Sequence, residues 1–129
     1  MESLGRHLLA EFSGCDAAAL GNLDRVTAAM LEAATRSGAT IVTHSFHHFG
    51  GGGGVSGVVI IAESHLAIHT WPEYEFAAVD FFTCGDGVRT GVALDVLAAA
   101  FGAPSIERTE VARGRLDVRS GRALPALPE

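Results

Sequence analysis

The sequence predicts an α+β fold in which two helices cover one face of an antiparallel sheet. Strand-length segments rich in Val, Ile, Phe and Thr follow one another between residues 39 and 84 with only short breaks, as hairpin connections require. Segments with helical periodicity lie before and after this run, over residues 16–36 and 90–101. Consecutive strands with helices outside them favour an antiparallel two-layer sandwich over a doubly wound parallel sheet.

The first 38 residues predict a strand followed by a helix. Leu4 to Phe12 is typical of a strand, and Asp16 can cap a helix that runs to about Arg36 and ends at Gly38. The apolar stripe of this helix is predicted to contain Leu20, Leu23, Thr27, Met30, Leu31 and Ala34.

Four strands are predicted next, over Ala39–Phe49, Val55–Ala62, Ser64–Trp71 and Phe76–Cys84. Five consecutive glycines, at 50–54, interrupt them and predict a flexible turn or a loop that another backbone approaches closely.

A second helix is predicted from Thr90 to Phe101, with Val92, Val96, Leu97 and Ala100 as its buried stripe. Ser105 to Arg113 predicts a last strand. Residues 1–115 are therefore expected to form a single domain, and residues 116–129 a flexible C-terminal tail.

The uncovered face of the sheet is predicted to carry Val59, Val79 and Phe81. Because an exposed apolar sheet face is costly, a homodimer is expected.

Composition excludes several classes of partner. The net charge is −6 and the basic residues do not cluster, which argues against nucleic acid and anionic membranes. The sequence shows neither a signal-peptide pattern nor an apolar run of membrane-spanning length, so a cytoplasmic protein is expected.

The cysteines and histidines leave alternatives open. Cys15 and Cys84 are too few for a disulfide framework, and Cys84 is either a buried thiol or one that faces a cleft. His44, His47 and His48 invite a zinc interpretation, but no nearby Cys pair or carboxylate completes a ligand set, so no metal is predicted. A hydrolase triad of Ser64, His69 and Asp80 is disfavoured because no nucleophile elbow surrounds the serine.

None of the nine basic residues is a lysine. A protein that reacts with an amine therefore has no lysine to hold pyridoxal phosphate or to form a Schiff base, and must make its own carbonyl. Glu63-Ser64 offers a route. On a strained turn the Ser64 hydroxyl can attack the preceding carbonyl, and β-elimination from the resulting ester leaves a pyruvoyl group.

The proton transfers in that route need a base. His69 is one candidate, provided that a turn or a neighbouring strand brings it to Ser64, and His65, which has the same strand parity, competes with it. Both are also compatible with structural histidines. Ser56, at the start of the preceding strand, could hold Glu63 or Ser64 in register.

With these residues identified, the chain resembles the prokaryotic S-adenosylmethionine decarboxylase proenzymes, which are small pyruvoyl-dependent enzymes of spermidine synthesis. The resemblance covers about residues 4–115. It is carried by GRHL at 5–8, GATIV at 38–42, FHHF at 46–49, GVSGVV at 54–59, ESHL at 63–66, IHTWPEY at 68–74, FTCG at 82–85 and RGR at 113–115.

The resemblance implies a role for each matched residue. Glu63-Ser64 is the self-cleaved bond, and Ser64 becomes the pyruvoyl group that forms a Schiff base with the substrate. It implies further that His69 assists processing with support from Ser56, that Cys84 donates a proton after decarboxylation, and that the substrate is bound by Phe49, Leu66, Trp71 and Glu73.

The resemblance also implies a two-layer sandwich whose sheets pair in a dimer, with active sites at or near the interface. Two departures from the family pattern are the extended glycine loop after Phe49 and a glutamate, Glu75, where the family usually has glycine.

The leading hypothesis is decarboxylation of S-adenosylmethionine, whose sulfonium cation suits Phe49 and Trp71. A pyruvoyl-dependent ornithine or arginine decarboxylase is the alternative that Glu75 and the glycine loop would favour. A binding subunit that does not process is a third interpretation, which the retained Ser64 disfavours.

Overall fold

The computed structural model of the protein describes residues 3–85, 87–117 and 120–124. Its centre is a six-stranded sheet in the order β2-β3-β4-β5-β1-β6, and every neighbouring pair is antiparallel. The strands are β1 (Ser3–Ser13), β2 (Ile41–His48), β3 (Val55–Ile61), β4 (Ser64–Trp71), β5 (Phe76–Thr83) and β6 (Ser105–Arg115). The predicted antiparallel sheet, with helices on one face, is confirmed.

The helices are α1 (Ala17–Leu20), α2 (Leu23–Arg36) and α3 (Thr90–Phe101), and a short 3-10 helix spans Pro72–Tyr74. The prediction of one continuous helix after Asp16 is wrong. Asp16 does cap α1, but the helix ends at Gly21 and Asn22 caps α2 through its side-chain oxygen, which accepts from Arg25 N at 3.1 Å. A glycine followed by a good N-cap residue makes two helices more favourable than one.

The predicted stripes of the two long helices are confirmed in part. Met30 and Ala34 in α2 and Val96 and Leu97 in α3 are buried, whereas the other predicted residues of these helices are only half-buried. In α2 the buried residues are Val26, Ala29, Met30, Ala33 and Ala34. In α3 they are Ala93, Leu94, Val96, Leu97 and Phe101. Apolar residues occupy most positions of α3, so periodicity alone could not identify its buried side.

The core lies between the helices and one face of the sheet, which we call the inner face. Val59, Val79 and Phe81 are at most 3% exposed and belong to this core, so the prediction that they lie on the uncovered face is wrong. In β3 and β5 both faces carry apolar residues, and alternation therefore could not assign the face. Among the described residues no helix covers the opposite, outer face, which carries the half-exposed apolar residues Leu9, Ile60 and Val111.

The glycine run forms the tight β2–β3 connection. Gly50, Gly51 and Gly52 all have positive φ, and a Cβ on Gly54 would collide with the carbonyl oxygen of Thr70. The run therefore forms a turn with left-handed backbone and also permits the predicted close approach of another backbone.

Part of the expected tail lies within the described residues. Leu116 bridges to Ala123, and Leu124 N–H donates to the Arg115 carbonyl at 2.6 Å, so the chain turns back on the end of β6. Residues 118, 119 and 125–129 lie outside the described residues. None of the helices in the described ranges is long and apolar enough to cross a bilayer.

Candidate active site

The bond predicted to be cleaved lies in the tight turn between β3 and β4. Ile61 pairs with Ser64, so only Ala62 and Glu63 form the turn. Ser64 has φ 146°, a region that non-glycine residues rarely adopt and that costs about 1–3 kcal/mol. The structure therefore places backbone strain at the residue whose hydroxyl is expected to react.

Two hydrogen-bonding groups hold Glu63 in this turn. Its carboxylate accepts from Thr40 N at 3.0 Å and from Thr40 Oγ1 at 3.3 Å, and the backbone hydrogen bond in particular lowers the pKa of the carboxyl below its usual value. Its carbonyl oxygen accepts from Cys84 N at 2.9 Å. Because that N–H points at the carbonyl which Ser64 would attack, it is positioned to stabilise negative charge on the oxygen.

Cys84 lies at the same end of the hairpin. It follows directly after Thr83, which pairs with Ser64, and its thiol is exposed. Glu63, Ser64 and Cys84 are therefore neighbours, and we call this group the cleavage end.

The other predicted residues meet at the opposite end of the same hairpin. A groove of about 420 Å³ is lined by Phe49, Ser56, His69, Trp71 and Glu73, together with Gly53, Gly54 and Thr70. Ser56 Oγ lies 2.9 Å from His69 Nδ1, and the side chains of Phe49 and Trp71 are well exposed to the groove. We call this the groove end.

The structure does not bring the two ends together within one chain. Ser56 pairs with His69, whereas Ser64 pairs with Ile61 at the turn, so five residue steps along β4 separate the two ends. At about 3.4 Å per residue this is roughly 17 Å. The expectations that His69 reaches Ser64 and that Ser56 holds it in register are therefore wrong for a single subunit.

Two further expectations fail on geometry. Leu66 is fully buried on the inner face, where it packs in the core, so its side chain does not reach the groove. Glu75 is exposed but does not line the groove; its carbonyl accepts from Cys15 N at 2.9 Å instead.

Two residues near the site were missed by sequence reasoning. Thr40 holds Glu63 from 23 positions away, and no local pattern indicates that contact. His47 lies opposite Ser56 in the strand register, and its ring meets Phe49 edge-on at 4.8 Å. Strand parity, which separates His47 from His44 and His48, was the available signal for it.

A separate cluster on the outer face contains metal-binding residue types. His7 Nε2 and His65 Nε2 lie 2.9 and 3.2 Å from Asp80 Oδ2. Arg113 Nη1 lies 3.0 Å from His7 Nδ1, and since a guanidinium can only donate, that nitrogen carries the lone pair and Nε2 carries the hydrogen. The cluster is therefore a hydrogen-bond network. The His7 nitrogen that faces Asp80 carries a hydrogen and has no lone pair with which to bind a metal ion.

Comparisons with known proteins agree on one family. The model of the S-adenosylmethionine decarboxylase family matches residues 6–114. The S-adenosylmethionine decarboxylase proenzyme of Acidithiobacillus ferrooxidans is 56% identical over 118 residues, covering 92% of this chain and 88% of that protein. The proenzyme of the same name from Thermotoga maritima is 53% identical over 117 residues, covering 91% and 89%.

A solved structure gives the same result. The crystal structure of the adenosylmethionine decarboxylase from Aquifex aeolicus superposes with a TM-score of 0.84 and 30% identity, covering 95% of this chain and all of that chain.

Proposed function

Because the chain belongs to the S-adenosylmethionine decarboxylase family, we propose that it generates a pyruvoyl group from Ser64 and uses it in the family's reaction. That reaction is the removal of CO₂ from S-adenosylmethionine, and the chain is accordingly a carboxy-lyase. The product is decarboxylated S-adenosylmethionine, the aminopropyl donor of spermidine synthesis. The observation that carries the proposal is the strained Ser64 next to a Glu63 carbonyl already hydrogen-bonded to Cys84 N–H.

Self-cleavage starts when Ser64 Oγ adds to the Glu63 carbonyl carbon. The C–N bond then breaks, and the acyl group moves from nitrogen to oxygen to give an ester. The Cys84 N–H, at 2.9 Å, supports the charge that develops on the oxygen, and relief of strain at Ser64 favours the step.

Elimination completes the cleavage. A base removes the Cα hydrogen of Ser64, the Cβ–O bond breaks, and Glu63 departs as a carboxylate. Hydrolysis of the dehydroalanine left behind releases ammonia and leaves the pyruvoyl group. Thr40 stabilises the ionised Glu63 side chain next to the new terminus, which helps to keep the turn in place.

The residues present fit a pyruvoyl group at position 64. A pyruvoyl group at this position would supply a carbonyl for the substrate α-amine and would draw electrons away from the carbon that loses CO₂. Cys84, exposed beside Ser64, is placed to donate a proton to the substrate carbon afterwards. The absence of lysine removes the common alternative ways of holding an amine-reactive carbonyl.

The active site needs two subunits. The base, His69, and its partner Ser56 lie about 17 Å from Ser64 along the hairpin, and both are on the outer face that no helix covers. In a two-fold dimer of outer faces, the groove end of one subunit meets the cleavage end of the other, and symmetry makes both sites alike. Leu9, Ile60 and Val111 give this face an apolar surface to bury.

The groove end suits the rest of the substrate. Phe49 and Trp71 present exposed ring faces that attract the sulfonium cation and stack with adenine, and Glu73 can accept from the ribose hydroxyls. Glu75 does not line this groove, so one of the two features that favoured an ornithine or arginine substrate has no support. The cytoplasmic location remains a prediction from the sequence.

Intact mass and a substrate assay test this function. The wild-type chain should separate into residues 1–63 and 64–129, with a pyruvoyl mass at the new N-terminus, and the Ser64→Ala variant should stay whole and inactive. Processed protein should release CO₂ from S-adenosylmethionine and not from ornithine or arginine. An active chain that remains whole, or faster release from either amino acid, would contradict the proposal.

A further inference from the structure

Thr83 carries a buried hydroxyl without a partner. Its side chain is 1% exposed, and its Oγ1 makes no hydrogen bond within the part of the chain that the structure describes. Burying a hydroxyl unpaired is unfavourable, so such a group calls for an explanation. A valine would fill the same space without this cost.

A second buried threonine on the same sheet face shows what is normal here. Thr70 Oγ1 donates to the Leu20 carbonyl at 2.8 Å and accepts from Val55 N at 2.8 Å. Thr70 is thus fully satisfied, and its hydroxyl joins α1, β3 and β4. Thr83 has no comparable structural role among the described residues.

The position of Thr83 points to Ser64. The two residues are direct partners in the β4–β5 register. Thr83 continues the inner-face series of Val79 and Phe81, and Ser64 is two residues before the inner-face Leu66. The angle φ describes rotation about the N–Cα bond. The unusual φ of Ser64 therefore redirects the turn before it and does not itself move Cβ relative to the strand that follows. Facing side chains of an antiparallel pair start from Cβ atoms about 4.5–5.5 Å apart, which two hydroxyls can bridge by rotation.

We propose that Thr83 is a positioning residue for self-cleavage at Ser64, an inference that rests on the proposed function. The two hydroxyls are not bonded to each other in the uncleaved structure. Rotation of the Ser64 side chain lets Thr83 Oγ1 accept its hydrogen, in the rotamer from which Oγ can reach the Glu63 carbonyl carbon. No bond of Thr83 forms or breaks. Ser64 begins β4 and is only half-buried, so the base reaches its hydroxyl past the end of the sheet and takes the proton as Oγ attacks, while Thr83 lies on the inner side. The unpaired Thr83 hydroxyl in the uncleaved chain is the energetic cost of having this acceptor next to Ser64.

The variants Thr83→Val and Thr83→Ser separate the proposed positioning role of the Thr83 hydroxyl from the packing role of its methyl group. Cleavage is followed by gel electrophoresis after a short pulse of synthesis. The valine variant should be cleaved about tenfold more slowly or worse, the scale expected for loss of one positioning hydrogen bond. The serine variant, which keeps the hydroxyl and loses the methyl group, should be cleaved much faster than the valine variant. Thr27→Val, which removes a helix hydroxyl far from the turn, serves as the matched control and should be cleaved at the wild-type rate.

Stability measured in the uncleavable Ser64→Ala background distinguishes positioning from a structural role. Adding Thr83→Val there should leave the unfolding midpoint unchanged or raise it, because an unpaired buried hydroxyl is replaced by a methyl group. Slow cleavage combined with a lowered midpoint, or wild-type cleavage of Thr83→Val, overturns the role of Thr83 alone. A wild-type chain that stays whole overturns the proposed function as well.

Discussion

The two ends of the β3–β4 hairpin differ in nearly every physical respect. At the cleavage end the backbone is strained at Ser64, and the buried hydroxyl of Thr83 has no partner in the described structure. At the groove end Ser56 and His69 are hydrogen-bonded to each other, and the Thr70 hydroxyl is hydrogen-bonded to Leu20 and to Val55. One end is prepared to react and the other to bind. The regular rise of a strand keeps them about 17 Å apart, so the proposed reaction would need a second copy of the chain.

Complementation between two inactive variants should give the largest effect. Ser64→Ala lacks the serine that is cleaved, and His69→Ala lacks the base, so neither homodimer should process. Coexpressed with different tags, they form mixed dimers in which one site has both groups, and in a random mixture about half of the His69→Ala chains should be cleaved. Intact mass of each tagged chain gives the result.

The opposite result, no cleavage in the mixture, would contradict this prediction. If the His69→Ala chains stay whole in the mixed dimers, His69 does not act between subunits and the shared site is wrong. Coexpression of Ser64→Ala with a second Ser64→Ala chain is the control, and should yield no cleavage.

The two thiols should differ in reactivity by a wide margin. Cys84 at the cleavage end is exposed, whereas Cys15 is 1% exposed and burial, with a smaller effect from Glu75, raises the pKa of its thiol. Iodoacetamide should therefore modify only Cys84 in the folded processed protein and both cysteines in urea. Peptide mapping identifies the modified residue.

Modification of Cys84 should also abolish CO₂ release, and saturating substrate analogue should protect against both changes. Full activity after complete alkylation of Cys84 would exclude the thiol as the proton donor.

Loss of an aromatic ring at the groove end should affect binding without affecting cleavage. Phe49→Ala should raise KM for S-adenosylmethionine about tenfold, since a stacked base contributes about 1–3 kcal/mol. Its rate of self-cleavage should equal that of the wild type. Tyr74→Ala removes an exposed aromatic residue that does not line the groove, and should leave KM unchanged. Equal KM values for both variants would remove Phe49 from the substrate site.

The smallest effect concerns the second strained residue. Apart from Ser64, Glu75 is the one non-glycine residue with positive φ among the described residues, at φ 53° in the left-handed region. Its strain has no link to the cleaved bond, so Glu75→Gly should raise the free energy of unfolding by about 1 kcal/mol and leave cleavage unchanged. Urea unfolding in the Ser64→Ala background measures this. A lower stability would show that the Glu75 side chain has a compensating contact.

Local sequence patterns were sufficient for the elements that carry the site. The predicted bounds of β4 and α3 agree with the structure, because each segment has consistent propensity and clear stops. Local sequence patterns were insufficient where the buried face of an element depends on packing between distant segments. Consecutive apolar residues in β3 and β5 do not indicate which face is covered. The long helical pattern conceals the break at Gly21-Asn22.

The sequence predicted which residues belong to the candidate site but not how they are arranged in space. Resemblance identified Ser64, His69 and Cys84, and the structure shows that the first and third are neighbours while the second is remote within one chain. Thr40 and Thr83 were not found, because strand pairing rather than spacing brings them to the turn. The resemblance assigns Leu66 to the substrate site, but Leu66 has the same strand parity as the buried Ile68 and its side chain lies in the core.

The strand order has a consequence for the molecule after it is cut. The proposed break falls between two interior strands, and β1 from the first fragment would be inserted between β5 and β6 of the second. The fragments therefore stay interlocked along three separate strand boundaries. Once denatured, however, they must find each other again, so recovery of the cut protein becomes second order and concentration-dependent, whereas the uncut chain folds in a unimolecular process. Folding of each subunit before cleavage is therefore independent of protein concentration, whereas refolding of the cut fragments is not.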